Sequence, residues 1–306
     1  MPVFENHTGI NFSESKLQLV ELSYKNNTFC LENVDQSIFK ERLTPGIEES
    51  KLIAILQDSF NKITSRKPLK TKFVSFTLPN NYFNIFEIPF DHALTKKDLL
   101  QHFKWELSVL YPDAPQEGFY IQHVDVNKST VRAENKAIVF ALRKDIVALI
   151  HKFCKTNNLE LKYVDNAHLA SNAFLFMNKT FLRSEIVFSL YIDQNYSSFT
   201  AIEGINPFYF KVFDSDGPDI FDEFETVIQK MEEFKIDFTS VKELLLCGQS
   251  ITKDFENRIK EKFNIPVKKI NPFERLQVES ELKKSPHFTS QFNSFTAATG
   301  IAIRII

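Results

Sequence analysis

The chain has 306 residues, 43% hydrophobic and 25% charged, the balance of a globular protein long enough for two domains. A formal net charge of −2, with no basic face carrying interleaved aromatics, excludes a general attraction to nucleic acid or anionic lipid. Three widely spaced cysteines (Cys30, Cys154, Cys247) exclude a disulfide framework and predict a reducing compartment. No signal-peptide pattern and no apolar run of membrane-spanning length is present, so a soluble cytoplasmic protein is expected.

Residues 7–24 predict a hairpin with its turn at Ser13-Glu14-Ser15, and strand-like sequence continues over 27–40 until Pro45-Gly46. Apolar residues at Ile47, Leu52, Ile53, Leu56, Phe60 and Ile63 have helical spacing. The basic stretch 65–72 reads as a solvated loop, and 72–78 as a buried strand ended by Pro79. A strand over 82–88, a helix over 99–110, strands over 118–126 and 136–142 and a helix over 144–156 form a small α+β unit. Its first helix opens with Thr95 and Asp98 at capping-box spacing.

A strand over 159–164 and a helix over 167–177 lead to a second strand–turn–strand over 189–202, turning at Asp193-Gln194-Asn195. A strand over 207–213 and a helix from Asp216-Gly217-Pro218 to about Phe234 follow. A buried strand over 242–247, a helix over 252–263, a short strand over 267–270 and a helix over 295–303 containing Gly300 complete the pattern. The seven histidines have neither i,i+4 pairing nor zinc-type spacing with cysteine, so no metal site is expected. Cys247-Gly248-Gln249-Ser250 lacks the G-x-S-x-G context of a nucleophile turn, and Cys247 reads as a small buried hydrophobe.

Several segments agree, in order, with one known pattern. Residues 9–22 run in register with G-I-D-I-G-S-x-S-x-K-x-V-E-L. Lys104-Trp105-Glu106 and Tyr111-Pro112 stand where that pattern has W-E and Y-(I/V)-P. Asp165 to Ala170, Leu244 to Gln249, Asn271-Pro272-Phe273 and Gly300 to Arg304 match its later motifs. In these features the chain resembles the PilM branch of the actin-like ATPase superfamily, a relative of FtsA. The resemblance implies an α/β, two-lobed, ribonuclease H-like fold with a small α+β insertion in the first lobe and a reduced second lobe. It implies a first lobe over 1–78, the insertion over 79–157, a first-lobe return and crossover helix over 158–183, and a second lobe over 184–306.

The same resemblance implies a nucleotide cleft faced by Asn11, Ser13, Asp193, Gly217 and Gly248, with Thr200 near them. Those positions depart from the family's chemistry. Asn11 stands for a metal-holding Asp, Ser13 and Gln194 for turn glycines, and Gln18 for a lysine. Asp216 and Gln249 each replace one glycine of a pair. An amide lacks the charge that attracts Mg²⁺, and a side chain in the turns keeps backbone N–H groups from phosphate oxygens.

The expected function is therefore a non-catalytic scaffold without cofactor, with an ATP-binding switch using Mg as the alternative. The resemblance further implies a protein partner, the short tail of an inner-membrane pilus or secretion component, gripped between the insertion and the first lobe. Such a partner would hold the protein at the inner face of the membrane. Phe76, Tyr82, Phe83, Phe86, Phe103 and Trp105 are the candidate partner-binding residues.

Overall fold

The two faces of the first hairpin pack into different apolar clusters, and this sets the layering. Ile10, Phe12, Leu17 and Leu19 join one cluster, Val20 and Leu22 another. The computed structural model describes residues 6–43, 46–89, 93–112, 118–128, 134–177, 185–214, 220–234, 236–249 and 251–304.

Strands β1 (His7–Phe12) and β2 (Lys16–Lys25) form the hairpin. β3 (Thr28–Ile38) extends it antiparallel after Asn26 and Asn27, both in the left-handed region that short polar side chains tolerate. Helix α1 (Glu49–Arg66) presents Leu52, Leu56, Phe60 and Ile63 to the sheet, and β4 (Phe73–Leu78) returns parallel to β1. The inserted unit has β5 (Phe83–Pro89), α2 (Lys96–Leu110), β6 (Phe119–Val126) and β7 (Lys136–Arg143) around one core; α3 (Lys144–Thr156), expected to belong with it, instead packs Leu149, Ile150 and Phe153 into the first-lobe cluster. Thr95 caps α2 as its spacing predicts, its Oγ1 accepting the Asp98 backbone N–H.

β8 (Glu160–Asn166) then joins the first sheet beside β4 and is followed by α4 (Ala167–Ser171) and α5 (Ala173–Met177). The second hairpin is β9 (Ile186–Ile192) and β10 (Tyr196–Glu203), continued by β11 (Asn206–Asp214) and α6 (Ile220–Glu233). β12 (Val241–Gly248), α7 (Lys253–Phe263) and β13 (Val267–Lys269) complete that sheet. β14 (Gln277–Val278), α8 (Pro286–Thr289) and α9 (Thr296–Ala302) follow.

Three sheets result, with orders β14-β3-β2-β1-β4-β8, β11-β10-β9-β12-β13 and β5-β7-β6. The second sheet packs Phe188, Phe199 and Leu244 against Phe224, Ile228 and Ile259 of α6 and α7, with edge-on ring contacts such as Phe199–Phe224 at 6.0 Å. Between the first and second sheets lie α4 and α9, made of small residues. The fold is thus the expected two-lobed α/β arrangement with a small α+β insertion.

Two further features differ from expectation. The helix predicted over 167–177 breaks at Asn172, whose side chain is drawn to Ser189 of β9. The chain beyond Asn271 also returns to the first sheet, through β14 beside β3 and through Phe273, Phe295 and Ala298 against Val20 and Leu22. Among the described residues no helix is long and apolar enough to cross a membrane.

The small residues of α4 and α9 are required by distance. A Cβ on Gly300 would lie 1.9 Å from the Ala170 carbonyl oxygen, and one on Gly9 the same distance from the Ala298 carbonyl oxygen. Backbone cannot yield there as a flexible side chain could. Gly300→Ala is expected to lower unfolding free energy by more than about 3 kcal/mol, measured by urea denaturation. A loss below about 1 kcal/mol would contradict this packing.

Candidate functional site

The turns of the two hairpins meet where the lobes join. The Ser13 hydroxyl accepts the backbone N–H of Lys16 at 3.2 Å and more weakly that of Ser15 at 3.4 Å, while Ser13 N–H donates to the Lys16 carbonyl at 3.0 Å. In the second turn the Gln194 N–H donates to Asp193 Oδ1 at 2.8 Å. These are the backbone donors that an anion would need, and side-chain oxygens of the protein hold them instead.

The rest of the junction is filled in the same way. Asn11 is fully buried; its Oδ1 accepts from Thr77 and its Nδ2 donates to Gln18 Oε1 at 3.0 Å. Gln18 Nε2 reaches Ser294 Oγ at 3.0 Å, tying β2 to the segment before α9. Glu14 accepts from Asn81 Nδ2 at 2.8 Å and from Asn195 Nδ2, so one carboxylate joins both turns and the root of the insertion. Gln249 Nε2 donates to Asp193 Oδ1 at 3.0 Å, occupying an oxygen that a metal would use.

Gly248 has φ +94°, and a Cβ there would lie 2.2 Å from the Ile192 carbonyl oxygen, so the fold requires this glycine whatever the junction binds. Gly217 lies outside the described residues. Burial raises the Asp193 carboxyl from the ordinary 3.8 to about 6, partly opposed by its hydrogen bond from Gln194 N–H and by the Lys16 charge. Burial also lowers the Lys16 ammonium, against the pull of Asp193. Cys247 is buried and its thiol is pushed up to about 12 by desolvation, which leaves it inert. Among the described residues no group of three His, Cys, Asp or Glu side chains could hold a metal ion.

A large opening lies elsewhere. A cavity of about 900 Å³ runs between β6 of the inserted sheet, β8 of the first sheet and the β10–β11 connection of the second lobe, with α9 closing one end. None of Asn11, Ser13, Asp193 and Gly248 lines it. β6 and β8 are both terminal strands of their sheets, so two sheet edges border the same space. Phe83, Val124, Leu161 and Val164 give it apolar wall, while Tyr120 (54% exposed) and Ile205 (60% exposed) stand at its rim. Asp165 and Arg304 pair within it, with the guanidinium also over the Tyr163 ring at 5.6 Å.

Of the six aromatic candidates, only Phe83 lines this cavity. Phe76 is fully buried in the first-lobe core against Phe153, and Phe86 and Phe103 form the core of the inserted unit. Tyr82 packs edge-on against Phe12, near the hairpin turns. Trp105 is 59% exposed on α2, stacked on His102, and is not part of the cavity wall. Sequence reasoning missed Tyr120, Tyr163 and Ile205. The signal available was the position of β6 and β8 as sheet edges, which depends on strand order.

Asp193 yields a pH prediction. A carboxyl whose folded pKa is raised favours the fold when protonated; that contribution is whole below about pH 4 and is lost as pH rises through about 6. Asp193→Asn keeps the acceptor oxygen and removes the charge. It is expected to be more stable than wild type at about pH 7.5 by on the order of 1–3 kcal/mol, with the difference shrinking toward about pH 4. Urea midpoints across that range measure it, and a variant less stable at neutral pH would show that the carboxylate is compensated.

No protein-family model matches the sequence, and no curated protein is similar to it. Solved structures are similar. One, described as a PilM-PilN type IV pilus biogenesis complex, superposes with a TM-score of 0.73 at 18% identity, covering 99% of each chain. Another, a protein of unknown function with an actin-like ATPase fold from Bacteroides thetaiotaomicron, has a TM-score of 0.53 at 14% identity over 88% of this chain and 92% of its own. With two lobes joined through paired hairpins and a small inserted unit, this chain has an actin-like ATPase fold of the PilM-like kind.

Proposed function

We propose that the protein is a non-catalytic scaffold that takes an extended peptide in the cavity between its inserted unit and its first lobe. The occupant in this reading is the cytoplasmic tail of a component of a membrane-associated assembly such as a pilus or secretion system. The jaws are the insertion, residues 79–157, and the first lobe, residues 1–78 with 158–183. One observation carries the reading: the space open to a ligand lies between two sheet edges, while the place where a nucleotide would sit is packed with the protein's own polar side chains. Edges offer backbone hydrogen bonds to an added strand, and the apolar wall offers pockets for its alternate side chains. The similarity to a PilM-PilN complex over the whole chain supports a protein partner.

Lys16 and Asp193 at the junction favour a second reading, an ATP-gated switch. Calorimetry with Mg-ATP separates the two. No heat of binding is expected, whereas micromolar binding would favour the switch.

For the scaffold, fluorescence anisotropy with synthetic peptides covering the cytoplasmic tails of membrane proteins encoded beside this one is the direct test. One peptide is expected to bind. Phe83→Arg, which places a charge in the apolar wall, is expected to weaken it at least about tenfold, and Trp105→Ala to leave it unchanged. If all tails fail to bind, or if binding ignores Phe83→Arg, the reading is wrong.

A further inference from the structure

Behind the cavity runs a chain of side-chain hydrogen bonds whose direction is set at one end. Asn166 caps α4, its Oδ1 accepting the backbone N–H of His168 at 2.9 Å and of Leu169 at 3.2 Å. Its Nδ2 is then the end that donates to Asn80 Oδ1 at 2.8 Å. Asn80 Nδ2 donates to Ser198 Oγ at 3.0 Å. The Ser198 hydroxyl, already accepting from Asn80, is placed to give its proton to His168 Nδ1 at 2.8 Å; in that arrangement the imidazole carries its proton on Nε2 and donates to Ser189 Oγ at 3.0 Å. The Ser189 hydroxyl in turn donates to Asn172 Oδ1 at 2.7 Å. Thr200 Oγ1 lies further from His168 Nδ1, at 3.4 Å.

All six side chains are buried, and burial lowers His168 to about 3, which keeps the ring neutral. Each of the first five side chains is hydrogen-bonded to a partner on either side. Asn172 is only 3% exposed, its oxygen is taken by Ser189, and among the described residues no hydrogen bond is made by its amide nitrogen, which is not one of the fully buried atoms left without a partner and so opens to the space beside it. Asn172 also lines the cavity, at the point where α4 and α5 are broken apart. An amide N–H at a cavity wall, its own carbonyl already committed, is placed to donate to an acceptor that a ligand brings.

We propose that Asn172 is a recognition residue of the cavity: its side-chain N–H donates to a carbonyl oxygen of the bound peptide, and His168, through Ser189, is the positioning residue that turns the amide that way. This deepens the peptide reading above and rests on it. It assigns one acceptor requirement at one place along the occupant, in a wall otherwise selective for apolar groups.

The test needs no knowledge of the natural partner. A random 12-residue phage-displayed library is panned on the full chain with Phe83→Arg as the counter-selection, and a retained peptide is synthesised. Asn172→Asp keeps the oxygen that faces Ser189 and replaces the donor by an acceptor, so it is expected to weaken this peptide at least about tenfold. Replacing backbone amides of the peptide by esters one at a time, which weakens the carbonyl acceptor, is expected to cost about fivefold at one position on wild type and nothing there on Asn172→Ser.

Equal affinity for wild type and Asn172→Asp, with Phe83→Arg still deleterious, would overturn this inference and leave the peptide reading standing. Failure to recover any peptide that Phe83→Arg rejects would overturn both. A second measurement does not depend on a ligand or on how the variants fold. Imidazole ¹⁵N shifts of the wild-type chain are expected to show His168 neutral with its proton on Nε2 from about pH 5 to 8. A proton on Nδ1 would reverse the chain of donors and remove the reason for Asn172 to present N–H.

Discussion

The distance between two backbones governs this molecule. Helices α4 and α9 lie between the two large sheets, and at Gly300 and Gly9 there is no room for even one additional carbon. With Ala167, Ala170, Ala297 and Ala298 around them, these helices let the sheets come within a single thin helical layer of each other. That closeness brings the two hairpin turns into contact, so Glu14 of one meets Asn195 of the other. It also lets buried polar side chains from both lobes pair with one another.

The character of the junction follows from those partners. Gln18 and Asn11 present amides there, each both donor and acceptor, which close upon one another. The groove has a different origin. It exists because the inserted sheet ends at β6, the first sheet ends at β8, and the β10–β11 connection stands beside them. Asn80, at the root of the insertion, is part of the hydrogen-bonded chain that runs into the lobe interface. The groove and the junction are therefore neighbours through a few side chains.

Much of the fold was legible in the sequence, for physical reasons. Both hairpins announce themselves by alternation around a short polar turn, and α1, α2, α3 and α7 by their helical period. That Asn11 and Gln18 bring neutral amides to the junction could be read from the sequence. What could not be read is how the space was refilled, since Gln18 meets Ser294 and Gln249 meets Asp193 only after the chain has folded. β14, two residues long, carries no period at all. The groove was illegible because its wall is drawn from distant segments. An aromatic ring in a sequence also has no direction: Phe83 faces the cavity, while Phe86, three residues on, faces the core of its own unit.

The return of α9 to the first sheet has a consequence for how the chain is made. β1 and β2 leave the ribosome well before Phe295, Ala298 and Ala302, which cover one of their faces and are translated more than 250 residues later. Until then Val20 and Leu22 have no permanent cover, and the amino-terminal half must wait as a partly structured intermediate. Contacts of such long sequence separation close slowly. Loss of α9 would therefore leave β1 and β2 exposed on that face and prone to aggregate, although every residue of those strands had been synthesised intact.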